Sequence, residues 1–185
     1  MKRILLILFV LQSVALSAQH TSKELDEMLT KQDSVFQLNV GKQYPMFSTK
    51  SLENEAITNQ SLEGKVTLIN FWFTGCAPCI AEFDALNSLY NKYKSNPNIQ
   101  LISITRDDTE QALATAQKYQ LTYPVCPVEM KECSRLNFKA GFPTNIIVDQ
   151  LGNIIYLKAG GSIDKNQIEK TFIELEQKIL EALAL

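Results

Sequence analysis

The chain has 185 residues, 45% hydrophobic and 21% charged, which suits one globular domain of ordinary size behind a leader. A formal net charge of −2 provides no field for nucleic acid or an anionic membrane surface, so neither is expected as a partner. The single histidine, His20, excludes a His-rich metal centre, and no metal or cofactor is implied. Four cysteines, Cys76, Cys79, Cys126 and Cys133, are too few for a disulfide scaffold of this length but suit one redox pair plus a second pair.

Lys2 and Arg3 precede an unbroken apolar run from Ile4 to Leu11, extended by Val14-Ala15-Leu16 and closed by Ser17-Ala18-Gln19. This is the order of a secretory signal peptide, and residues 1–18 are assigned to one, with cleavage after Ala18. The apolar core is shorter than the about 20 residues of a membrane span. An uncleaved N-terminal anchor is the alternative, and only then is the membrane a partner. Either way the chain leaves the cytoplasm for a periplasmic setting, where disulfides persist.

Residues 19–39 form a polar arm or a short helix, with Leu25, Met28 and Leu29 at helical spacing. The folded domain is expected over 40–185. Asn54 and Gly64 punctuate a hairpin or loop region. Val66 to Phe73 is nearly all apolar, as a central strand buried on both faces requires. From Ala77 the period becomes helical, with Ile80, Phe83, Leu86, Leu89, Tyr90 and Tyr93, until Asn96-Pro97-Asn98 ends it. Ile99 to Ile104 is a second strand, and Asp107 with Glu110 predicts a capping box for a helix to about Tyr119. Tyr123 to Val128 is extended around its prolines, and a short helix is expected over 132–138. Thr144 to Asp149 and Ile154 to Leu157 flank Leu151-Gly152-Asn153 as a hairpin. Asp164 and Gln167 open a last helix with Ile168, Phe172, Leu175, Ile179 and Leu183 on one stripe. The fold class is therefore α/β, a central mixed β-sheet with helices on both faces.

Cys76 and Cys79 stand two residues apart where the central strand gives way to a helix. Free N–H groups and the partial positive charge of a helix N-terminus favour a thiolate over a thiol, so the first cysteine becomes nucleophilic. One turn brings the second within reach of a mixed disulfide. Cys76 is assigned as the attacking thiol and Cys79 as the resolving thiol of a redox-active disulfide. A C-x-x-C is also half of a zinc ribbon, or an inert structural disulfide. Cys126 and Cys133 do not supply the other half-ribbon spacing.

Phe71-Trp72-Phe73-Thr74-Gly75-Cys76-Ala77-Pro78-Cys79 followed by Gly141-Phe142-Pro143-Thr144 resembles the thioredoxin superfamily. More narrowly, it resembles the exported TlpA/ResA-like branch, with its AhpC/TSA-related thioredoxin-like domain. The narrowing rests on Val40-Gly41-Lys42 with Pro45-Met46-Phe47, on Leu62-Glu63-Gly64-Lys65-Val66, and on Cys76-Ala77-Pro78-Cys79-Ile80-Ala81-Glu82. The resemblance implies a thioredoxin-like fold and makes Pro143 a cis-proline beside the cysteines. The Phe142 backbone is then the edge that pairs with an extended client segment. It also implies that Glu82, on the Cys79 face of the helix, is buried and exchanges protons with the cysteines. Asn70 occupies the place where thioredoxins proper keep a buried aspartate. Gly75 departs from the aromatic residue usual before the first cysteine. Trp72 is expected in the core flanking the site; Tyr123 and Phe138 are core or groove residues.

Cys126 and Cys133 admit three readings: a structural disulfide, favoured in an oxidising compartment, two buried free thiols, or a second redox pair. The expected activity is thiol–disulfide exchange with cysteine-containing exported proteins. The resemblance favours a reductant for clients such as apocytochromes, recharged by a membrane thiol electron donor. The alternatives are a redox-sensitive binding module and a thiol peroxidase. Peroxiredoxins place a threonine three residues ahead of the reactive cysteine, whereas Thr74 is two ahead of Cys76.

Overall fold

The computed structural model describes residues 37–184; the expected leader and residues 19–36 of the expected arm lie outside the described residues. Strands β1 (Ser48–Lys50) and β2 (Ala56–Thr58) form an antiparallel ribbon that runs into the short helix α1 (Asn59–Leu62). The main sheet then begins with β3 (Val66–Trp72). It is followed by α2 (Ala77–Tyr93), β4 (Ile99–Thr105), α3 (Thr109–Lys118), β5 (Val125–Pro127) and α4 (Met130–Leu136). The hairpin β6 (Thr144–Val148) and β7 (Ile154–Ala159) precedes the final helix α5 (Lys165–Leu183).

The five strands lie in the order β5-β4-β3-β6-β7. β3 pairs in parallel with β4, and β4 with β5, across helical crossovers, while β6 runs antiparallel to both β3 and β7. Every residue of β3 is buried, as its unbroken apolar run requires. Val66, Leu68 and Trp72 pack with Phe83 and Leu86 of α2, Ala112 of α3, and Leu175 and Ile179 of α5. The strand period sends Ile69 and Phe71 to the other face, where both are fully buried.

Three local features differ from the sequence-based expectation. The α3 cap is Asp108, which accepts from the Gln111 N–H at 2.8 Å, rather than Asp107. Asp107 is held by the active-site loop instead. Helix α4 starts and ends two residues earlier than expected, and beyond its end Phe138 and Lys139 both take left-handed backbone, each at φ 57°, which no helix continues. β7 extends past Leu157 to Ala159 because β6 offers it pairing partners as far as Thr144.

Candidate active site

The site is built where β3 stops. Trp72 is fully buried and donates its Nε1–H to Ser103 Oγ at 3.1 Å, which satisfies the indole in the core. Beyond it the chain turns sharply. The Cys76 N–H donates to the Phe73 carbonyl at 3.1 Å, and Gly75 between them has φ +90°, a left-handed conformation that glycine adopts without a Cβ penalty. Thr74 is tied down by its N–H and Oγ1, which donate to Asp107 Oδ2 at 2.6 and 2.8 Å. Its hydroxyl also meets Thr115 Oγ1 at 2.7 Å, so Thr74 is committed to the loop.

This turn delivers Cys76 to the N-cap of α2. Its Sγ accepts from the Cys79 N–H at 3.3 Å, and Pro78 occupies the first turn, where no amide donor is missed. Cys76 and Cys79 form a disulfide with Cα atoms 5.2 Å apart. Cys79 is 1% exposed and Cys76 5% exposed, so the first cysteine is the slightly more accessible residue of the pair. A thiolate at Cys76 would receive both the Cys79 N–H and the positive end of the α2 dipole.

Glu82 lies one turn further along α2 and is only 1% exposed. Its Oε2 accepts from Asn145 Nδ2 at 3.2 Å, and Asn145 Oδ1 in turn accepts from Asn70 Nδ2 at 2.9 Å. Burial pushes the Glu82 carboxyl up from 4.5 to about 7, against the opposing pull of the Asn145 hydrogen bond and the Lys158 charge. Strand register explains how these polar groups meet. Ser103 on β4 pairs with Asn70 on β3, Asn70 with Asn145 on β6, and Asn145 with Lys158 on β7. Paired positions on neighbouring strands point to the same face, so a polar row crosses the sheet beneath the first turns of α2. The Lys158 ammonium reaches past the row to Glu174 Oε2 at 3.1 Å on α5. Tyr123 is buried close enough to Glu82 for that charge to help raise its hydroxyl further, burial being the larger cause.

The loop before β6 completes the site. The Phe142–Pro143 peptide is cis, and the Pro143 carbonyl accepts from the Gly160 N–H at 2.8 Å. Phe142 sets its ring edge-to-face on Phe73, with centroids 5.2 Å apart, and the Arg106 guanidinium lies 3.9 Å from the Phe73 centroid and 5.2 Å from that of Phe142. Gly161 brings Pro143 and Glu82 together. A methyl group at that position would stand 2.6 Å from Pro143 Cγ and 2.9 Å from Glu82 Oε1. Cys76, Cys79, Glu82, Phe142 and Pro143, singled out from the sequence, therefore gather around the N-terminus of α2.

The structure corrects the favoured reading of the second cysteine pair. Cys126 on β5 and Cys133 on α4 are free thiols, both fully buried, and form no disulfide. Burial pushes each of them up to about 12, which leaves them as small apolar core residues. Sequence reading missed Asn145, Gly161 and Arg106. A polar Asn145 inside an otherwise apolar strand was the available signal for the first; nothing local marked the other two.

The AhpC/TSA family model matches residues 40–157 of the chain. The thiol-disulfide oxidoreductase ResA of Bacillus cereus is 32% identical over 133 residues, covering 71% of this chain and 76% of its own length. The thioredoxin-like protein YneN of Bacillus subtilis is 31% identical over 141 residues, covering 75% of this chain and 78% of its own. Among solved structures, one assigned as a thiol:disulfide interchange protein DsbE from Chlorobium tepidum superposes with a TM-score of 0.68. It is 24% identical and covers 78% of this chain and 97% of its own, which establishes likeness of fold. Fold and relatives together define a thiol–disulfide oxidoreductase of thioredoxin-like architecture. The chain belongs to the AhpC/TSA family, within its TlpA/ResA-like branch.

Proposed function

We propose that this enzyme is exported and reduces disulfides in exported client proteins, with apocytochromes as one client class, and that a membrane thiol donor recharges it. The observation that carries the reading is the Cys76–Cys79 disulfide capping α2 with a buried carboxyl, Glu82, one turn behind it. The N-terminal sequence supports export. Among the described residues no helix is long and apolar enough to cross a membrane.

In the forward direction the Cys76 thiolate attacks one sulfur of a client disulfide. The client S–S bond breaks, a Cys76–client disulfide forms, and the expelled client thiolate takes a proton. Glu82 accepts the Cys79 proton, and the Cys79 thiolate attacks Cys76 Sγ. The second client thiolate leaves and the Cys76–Cys79 disulfide reforms. The client gains two electrons, the enzyme loses two, and a dithiol donor restores it. The Phe142 backbone ahead of Pro143 is the edge on which the client segment lies.

A redox titration of the mature protein tests the direction. A midpoint near or below about −270 mV supports a dedicated reductant; one near about −120 mV overturns it in favour of an oxidase. In parallel, Cys79→Ser should accumulate Cys76–client mixed disulfides that Cys76→Ser cannot form. Absence of any trapped species would leave only a binding role for the dithiol.

A further inference from the structure

At the rim of the site, Arg106 leaves most of its hydrogen-bonding capacity unused among the described residues. Arg106 follows β4, and its guanidinium lies at stacking distance over Phe73 and beside Phe142. A guanidinium held on a ring by its face keeps the N–H donors around its edge available. The hydrogen bond they make is from Nη1 to Met130 Sδ at 3.6 Å, and a thioether is a weak acceptor. Among the described residues no carboxylate pairs with Arg106. Its neighbour Asp107 is engaged by the Thr74 N–H and hydroxyl. Both rings beneath Arg106 belong to the site: the Phe73 carbonyl closes the turn onto Cys76, and Phe142 directly precedes Pro143. Nearby in the same turn, no non-neighbouring atom of the described residues stands within 4 Å of where a side chain would project from Gly75.

We propose that Arg106 is a client-selecting residue whose guanidinium receives an Asp or Glu carried by the client segment next to the cysteine under attack. The inference rests on the reading of Phe142 and Pro143 as the client-docking edge. Charge complementarity chooses the occupant: a forked donor set on an aromatic platform matches a carboxylate with two acceptor oxygens. A lysine at the same client position would meet like charge.

The test uses the full chain, pre-reduced, in single-turnover reactions with symmetric peptide disulfides. The peptides are identical except for Asp, Asn or Lys close to the cysteine, and released thiol peptide is measured. The Asp peptide should react about 3- to 10-fold faster than the Asn peptide at low salt, with the Lys peptide slower than both. The Asp:Asn ratio should fall to near one in Arg106→Gln and be partly kept in Arg106→Lys, which retains charge but not the fork. A ratio near one in the unaltered chain, or one that survives Arg106→Gln, overturns the inference. So does an equal loss on all three peptides in Arg106→Gln with the ratio unchanged, which marks a purely packing role. Neutral 2-hydroxyethyl disulfide separates the two levels. Its turnover with equal peptide rates removes this inference alone; failure to reduce it or any peptide removes the exchange reading as well.

Discussion

The Asn145 side chain stands between two buried groups, donating to Glu82 Oε2 at 3.2 Å while accepting from Asn70 at 2.9 Å. A carboxyl in this position is held by a side chain on the sheet rather than by its own helix. The sheet therefore helps to set where this carboxyl sits relative to the dithiol. Asn145 uses both ends of its amide, whereas the buried Asn70 Oδ1 has no hydrogen-bond partner among the described residues.

Replacing Asn145 by Leu removes the one hydrogen bond that favours the ionised form of Glu82, so the carboxyl should rise further above about 7. The rate of client reduction, if it depends on ionised Glu82, should show its acid-side limb displaced to higher pH. The Asn70 amide also loses its acceptor, and the variant should be less stable by about 1–3 kcal/mol. A pH–rate profile and a urea melt measure the two effects separately. A limb that stays in place would remove Glu82 from the proton-transfer step.

Glu82 itself links stability to pH. Its folded value of about 7 lies above the ordinary 4.5, so between those values the folded chain holds a proton that the unfolded chain has released. Stability from the neutral carboxyl is full below 4.5 and is lost as pH rises to about 7. Glu82→Gln, neutral at every pH, should flatten that fall. The difference between the two proteins should change by on the order of 3 kcal/mol across the window, read from denaturant melts at several pH values.

Gly161→Ala should be poorly tolerated although the residue is exposed. The added methyl would meet the rigid Pro143 ring at 2.6 Å and the Glu82 carboxyl at 2.9 Å. Overpacking of this kind costs about 1–3 kcal/mol. Client reduction should fall with it, because both displaced groups belong to the proposed site. Wild-type stability and exchange rate in this variant would contradict the close approach.

Thiol counting tests the state of the second cysteine pair. In the oxidised native protein, alkylating reagents should label neither Cys126 nor Cys133 rapidly, because both thiols are buried and pushed up to about 12. Denaturation without reductant should expose two reactive thiols, and reduction should expose all four cysteines. Unreactive Cys126 and Cys133 after denaturation alone would mean that they are disulfide-bonded.

Much of this was legible in local chain chemistry. The apolar run from Val66 announced a buried strand, and the abrupt change to helical spacing at Ala77 put Cys76 and Cys79 at a helix N-terminus. The dithiol chemistry follows from that placement, because N-terminal amides and the helix dipole act within one turn. The sequence Gly141-Phe142-Pro143-Thr144 likewise marked the facing loop. What stayed hidden depends on strand register and side-chain packing between distant segments. Asn70 and Asn145 become partners only because β6 pairs antiparallel to β3 in one register, and a shift by one residue would turn Asn145 to the other face. Asp107 is the cap expected from the sequence, but Thr74, 33 residues upstream, claims it and the helix is capped by Asp108. Cys126 and Cys133 remain thiols for a similar reason. The strand and the helix that carry them bury each sulfur without joining the two, and burial disfavours the thiolate that disulfide formation would need.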